Sequence, residues 1–195
     1  LLLLPGMLYL IWSSPQRLAI TRHVALATAG AFLAGLCIYL YLPVRAAADP
    51  WPNWGDPTTL RRFLWVTSGA IYRHYLFGVP LAAWPLRLTA WARHLLAQFG
   101  PCGVILGAIG LAVGMRGRRR VAIATLLTFG LYTVYALGYN TPDAWVNLIP
   151  AHIIWAFWVA SGVWRLLDRA GLTAASKRGL VRAAAIALLG LLPLW

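Results

Sequence analysis

Negative charge is what this chain has least of. Glutamate is absent, and Asp49, Asp56, Asp143 and Asp168 are the only acids against 17 lysines and arginines. Charged residues make up 11% of the chain, where a soluble domain carries about a quarter. Hydrophobic residues make up 61%, with a mean hydropathy of +0.72. These proportions exclude a soluble globular enzyme and imply an integral membrane protein. Cysteine is also scarce. Cys37 and Cys102 lie in separate apolar stretches with no Cys or His at ligand spacing, and read as isolated buried thiols.

The motifs of soluble enzymes are missing too. There is no phosphate-binding glycine loop, no GxSxG elbow, no HExxH and no CxxC. His23, His74, His94 and His152 show no metal-ligand spacing, so neither a metal nor a cofactor is expected. The net charge of +13 would suit nucleic acid, but the basic residues cluster at the ends of apolar segments. That pattern meets anionic headgroups. The expected partner is the lipid bilayer, not nucleic acid.

What is present is a set of long apolar runs. A helix needs about 20 apolar residues to cross the hydrocarbon core. Spans are predicted at about 24–42, 95–115 (interrupted by Gly100-Pro101), 121–139 and 144–164, with truncated spans at 1–12 and 183–195. The predicted fold class is therefore all-α, a polytopic transmembrane helix bundle in a single membrane domain. Because both terminal runs read as cut spans, the chain is expected to be a fragment of a longer protein.

The loops between the spans set an orientation. Residues 13–23, 116–120 and 165–182 are rich in Arg and Lys and share one side by parity. The positive-inside rule makes that side cytoplasmic. The opposite side receives 140–143 and the long outer loop 43–94, together with Asp49, Asp56 and Asp143. Within that loop, Asp56-Pro57 reads as a helix start, Asp as N-cap and Pro at the first helical position. Leu60, Phe63, Leu64, Thr67, Ile71 and Tyr75 then recur on one helical face. Leu81, Trp84, Leu88, Trp91 and Leu95 form a second such face. Both segments read as amphipathic helices in the membrane interface.

Two polar constellations could carry chemistry. The first is Asn53-Trp54-Gly55-Asp56-Pro57, with Arg45 before it. Trp54 could stack on a sugar, Asn53 and Asp56 could bond hydroxyls, and Arg45 could hold a phosphate. Equally, the motif could be a turn that caps the next helix, with Trp51 and Trp54 as interfacial anchors. Arg61, Arg62 and Arg73 could grip a lipid phosphate or snorkel to ordinary headgroups. The second constellation is Tyr139-Asn140-Thr141-Pro142-Asp143, either a solvated turn or a polar closure of an outer cavity. His152, expected about two turns into its span, is either a functional ionisable group or a satisfied neutral histidine.

These two constellations carry a resemblance. YLPVRAAADPWPNWGDPTTLRRFLWVTSGAIYR resembles the segment in which one polytopic membrane family reads Y-L-P-x-R, then N-P, then N-W-G-D-P, then a helix with Phe and a closing Tyr. YNTPDAWVNLIPA is similar to that family's second signature. The family has the O-mannosyltransferase transmembrane protein 260 as its eukaryotic relative. It belongs to the GT-C superfamily of membrane glycosyltransferases, which take sugar from a polyprenyl-phosphate donor at the outer face. The resemblance implies transfer of that sugar to a hydroxyl of a protein or glycan acceptor, in a bacterial inner membrane. Arg45, Asn53, Trp54, Asp56 and Tyr72 match the first signature, and Asn140 and Asp143 the second, as substrate-binding positions. The catalytic acid is expected upstream of this fragment. Ala48-Asp49-Pro50 departs from the pattern where asparagine precedes proline. The rival readings are a transporter or flippase segment for an anionic lipid-linked substrate, or a non-catalytic membrane subunit.

Overall fold

A computed structural model describes residues 2–14 and 22–169. All regular structure among them is helical: α1 Leu4–Ser13, α2 Arg22–Cys37, α3 Tyr41–Ala46, α4 Leu60–Thr67, α5 Trp84–Gly117, α6 Arg119–Gly138 and α7 Ile149–Arg169, with short 3-10 turns between. Four stretches are long and apolar enough to cross a membrane: Leu26–Ala46, Leu81–Gly117, Arg119–Gly138 and Ala144–Arg169. The protein is an integral membrane helix bundle. The span expected at 183–195 lies outside the described residues.

The chain forms two compact units, one made of Leu1–Ser14 with Phe77–Trp195, the other of Pro15–Leu76. In the first unit α5 packs along α7, and α6 packs on both. Small residues permit the close approach. A methyl group on Gly110 would overlap the Trp158 carbonyl, and one on Gly162 would overlap that of Leu106. Trp155 lies over Gly107 and its indole N–H donates to the Gly103 carbonyl at 3.3 Å. Gly110 and Gly162 thus let the backbones of α5 and α7 meet, and Gly107 makes room for the Trp155 indole, as small residues do where hydrocarbon offers no hydrophobic drive between helices. Phe129, Ala136, Leu148, Ala151 and Trp158 form the core of this unit. On α1, Gly6 is buried against Ala124 and Thr128 of α6.

The interruption expected at Gly100-Pro101 is present. The amphipathic segment and the following span run together as α5, but Gly100 has a non-helical backbone, φ 63° and ψ 170°, that kinks α5 into two helical stretches. Gly adopts that backbone without a Cβ penalty, and Pro101 has no N–H to lose at the break. Only the end of the apolar face nearest the bend packs against the bundle: Trp91 lies edge-on to Phe129 and Leu95 is buried, while Leu81 and Leu88 stay exposed. The last described span starts at Ala144 as expected, but its first residues, Ala144–Leu148, wind as a 3-10 turn, and His152 lies behind that turn in the first turn of α7.

In the second unit the span 24–42 continues to Ala46. The 3-10 turn Ile38–Leu40 lies ahead of Pro43, which cannot donate back to Tyr39. The helix expected to start at Asp56 starts at Leu60 instead. Thr59 is its N-cap, with its hydroxyl accepting from the Arg62 N–H at 3.4 Å. The apolar face predicted to run from 60 to 75 breaks at Gly69 (φ 63°), after which Ala70–Tyr75 winds as 3-10 helix. Both thiols are exposed, Cys37 on α2 and Cys102 on α5. A membrane protein can present such apolar groups to lipid, so an apolar neighbourhood in sequence need not mean a protein core.

Candidate functional site

The polar loop after α3 is built on backbone that favours glycine and short polar side chains. Asp49, at φ 43°, follows the last turn of α3, and its N–H bonds the Ala46 carbonyl at 3.0 Å. Gly55 and Asp56 have consecutive positive φ, 70° and 41°. A methyl group on Gly55 would run into Val66 and Trp65 of α4, so the turn lies directly on that helix and only glycine fits there. Pro57 is buried beneath it.

Asp56 ties the turn together. One carboxylate oxygen accepts from the Asn53 amide at 3.4 Å and the Thr58 hydroxyl at 3.3 Å. The other forms an ion pair with the Arg62 guanidinium. The Asp56 carbonyl also accepts the Thr58 N–H at 2.8 Å. This carboxylate therefore caps no helix. It holds a side chain of α4 in place. Trp51 and Trp54 project from the same turn, 97% and 69% exposed.

The arginines of α4 and the following 3-10 turn converge. Thr59, Arg61, Arg62, Leu64, Trp65, Ser68, Ala70 and Arg73 line an open concavity of about 710 Å³. Asp56 neutralises Arg62, and among the described residues Arg61 and Arg73 make no ion pair, on a wall that also carries two hydroxyls. Guanidinium forks and hydroxyls are the donor set suited to a phosphate. An apolar groove of about 730 Å³ adjoins it, formed by Leu33, Leu36, Cys37, Tyr39 and Leu40 on one side and Phe63 and Thr67 on the other. Leu64, Ser68 and Arg73 line both spaces.

Of the residues singled out in sequence, Asn53 and Asp56 are brought together with Arg62, while Arg61, Arg62 and Arg73 form the concavity. Arg45 lies exposed in the last turn of α3 and does not line it. Tyr72 is exposed in the 3-10 turn and is likewise outside the lining. Asn140 and Asp143 belong to the first unit and are exposed on the turn before α7. Periodicity in α4 pointed to its apolar face but gave no sign that α2 supplies the opposite wall of the groove.

A second polar cluster sits in the first unit. The His94 ring lies 5.2 Å from that of His152 and 5.5 Å from that of Trp145, and Phe99 meets His152 edge-on at 5.8 Å. His152 Nε2 is buried without a hydrogen-bond partner. The pairing was missed in sequence. The spacing of Trp91, His94 and Leu95 on one helical side was the available signal. Two imidazoles are not a metal centre, and among the described residues no group of three or more His, Cys, Asp or Glu could hold an ion.

The chain matches no family model, no curated protein sequence and no solved structure.

Proposed function

We propose that the Pro15–Leu76 unit binds a phosphate carried on an isoprenoid chain, and that the protein is a GT-C-type glycosyltransferase of the family its two motifs resemble. The observation that carries this reading is the arginine concavity opening onto an apolar groove through shared Leu64, Ser68 and Arg73. A phosphate ester seated on Arg61 and Arg73 would place its hydrocarbon along α2. In sugar transfer the polyprenyl phosphate is the leaving group, and guanidinium donors stabilise the charge that develops on it. A carboxylate acting as general base would take the proton of the acceptor hydroxyl. Asp56 is a positioning residue in this scheme, acting through Arg62. The exposed Trp54 is suited to stack on the sugar. Outer-face chemistry in a bacterial inner membrane belongs to the same proposal.

The test uses the chain in lipid nanodiscs with a short-chain prenyl phosphate as probe. Prenyl phosphate should bind at least about tenfold more tightly than the matching prenyl alcohol, as a charge-assisted contact of about 1.5–3 kcal/mol requires. Arg73→Gln should remove that preference. Equal binding of alcohol and phosphate would overturn the lipid-phosphate reading. With a polyprenyl-phosphate sugar, transfer to an acceptor supports the transferase. Binding and transbilayer movement without transfer would replace it with a lipid carrier that uses the same concavity.

A further inference from the structure

Where α5 ends, α6 begins and α7 ends, the three helices leave a groove of about 650 Å³. Its walls are apolar along their length, with Gly114 of α5, Phe157, Trp158 and Ala160 of α7 and Val121 of α6. Its mouth is not. Arg118, the single residue joining α5 to α6, lies there, with Trp164 and the ion pair of Arg165 and Asp168 at 3.3 Å.

We infer that this groove is a binding site for one anionic glycerophospholipid, its acyl chain between α5, α6 and α7 and its phosphate on Arg118. Four observations support that occupant. First, the charge is uncompensated: Asp168 answers Arg165, while among the described residues Arg118 makes no ion pair. Arg116, Arg119 and Arg120 flank it and are exposed, so the mouth carries a field that favours anions. Basic pockets between spans bind anionic headgroups in this way. Second, the depth fits. Residues 157–168 of α7 cover about 16 Å at 1.5 Å per residue, close to half of a hydrocarbon core of about 30 Å. Third, Trp164 is exposed at the mouth, the level at which tryptophan settles between headgroups and hydrocarbon. Fourth, the floor is fixed before any lipid arrives. Trp158 is buried and its indole N–H donates to the Thr125 hydroxyl at 3.1 Å, while Gly110 holds the backbones of α5 and α7 in contact. A rigid floor lowers the ordering cost of binding.

Native mass spectrometry of the full chain released from nanodiscs containing equal phosphatidylglycerol and phosphatidylcholine tests this. Phosphatidylglycerol should be retained preferentially as a single adduct. Arg118→Gln should cut that preference about fivefold, the effect of one arginine charge near an anionic surface, and Arg118→Lys should keep most of it. Ala160→Trp, which fills the groove from an exposed helix position, should remove the adduct while leaving helicity by circular dichroism and the monomer peak unchanged. Equal retention of the two lipids, or a preference indifferent to Arg118→Gln, would overturn the proposal. So would the absence of any adduct. If Ala160→Trp fails to fold, the two Arg118 variants still decide the matter.

Discussion

The two units of this protein handle apolar surface in opposite ways. In the first unit, glycines bring α5 and α7 into backbone contact, and aromatic side chains close the core around Phe129 and Trp158. In the second, the apolar window of the span Leu26–Ala46 has no buried residue, and no side chain meets Gly30 or Gly35 within 4 Å. Glycine shows the difference most clearly. In the first unit it permits contact between helices; on α2 it faces open space. Apolar surface that is not used for packing is available to lipid or to ligand. In the second unit it lies beside the arginines.

The sharpest way to break this comparison is to add one methyl group to each unit. Gly110→Ala would force apart α5 and the Trp158 backbone, and should destabilise the protein by about 3 kcal/mol, the upper range for overpacking, measured as a fall in the unfolding midpoint in detergent. If Gly110→Ala is tolerated, the two helices are not locked by backbone contact. Gly55→Ala comes next. It introduces Cβ strain at φ 70° and a clash with Val66 and Trp65. About 1–3 kcal/mol of local strain should appear as lost prenyl phosphate binding more than as lost global stability. A lowered midpoint with binding intact would show that the turn does not position α4.

Asp56→Asn should have a smaller effect. The ion pair with Arg62 is partly exposed on both sides, and such pairs contribute up to about 1 kcal/mol. Asparagine can still accept from Asn53 and Thr58. Binding of prenyl phosphate should fall less than about fivefold; its complete loss, in a folded protein, would make the carboxylate a direct ligand. The smallest effect belongs to Gly30→Ala on α2, where replacing glycine within a helix should leave stability unchanged or raise it by up to about 1 kcal/mol. A large loss there would reveal packing that the comparison denies.

Much of the architecture was legible because bilayer spans need long apolar runs, and those runs are in the sequence as such. The amphipathic period of α4 and the arginines opposite it were legible for the same reason. Cap chemistry was not. Asp56 and Thr59 are both competent N-caps three residues apart, and the choice fell to Thr59 because Gly55-Asp56 turns through left-handed backbone to sit on Trp65 and Val66. Gly100-Pro101 signalled the break that kinks α5, but nothing local showed that the stretch before it would pack Trp91 and Leu95 against the bundle. The groove between α2 and α4 and the meeting of His94 with His152 depend on residues far apart in the chain, and no local period records them. The two signature motifs pointed to Arg45 as the phosphate ligand, whereas Arg61, Arg62 and Arg73 are the arginines that share a concavity.

The central claim is that a lipid phosphate occupies the concavity and groove of the second unit. Photo-crosslinking tests it most directly. A prenyl phosphate carrying a diazirine on its isoprenoid chain is irradiated with the chain in nanodiscs, and the labelled peptides are mapped. Adducts should fall within residues 33–40 and 60–68, be displaced by unlabelled prenyl phosphate but not by prenyl alcohol, and weaken in Arg73→Gln. Adducts confined to α5, α6 or α7, or a pattern unchanged by Arg73→Gln, would contradict the account.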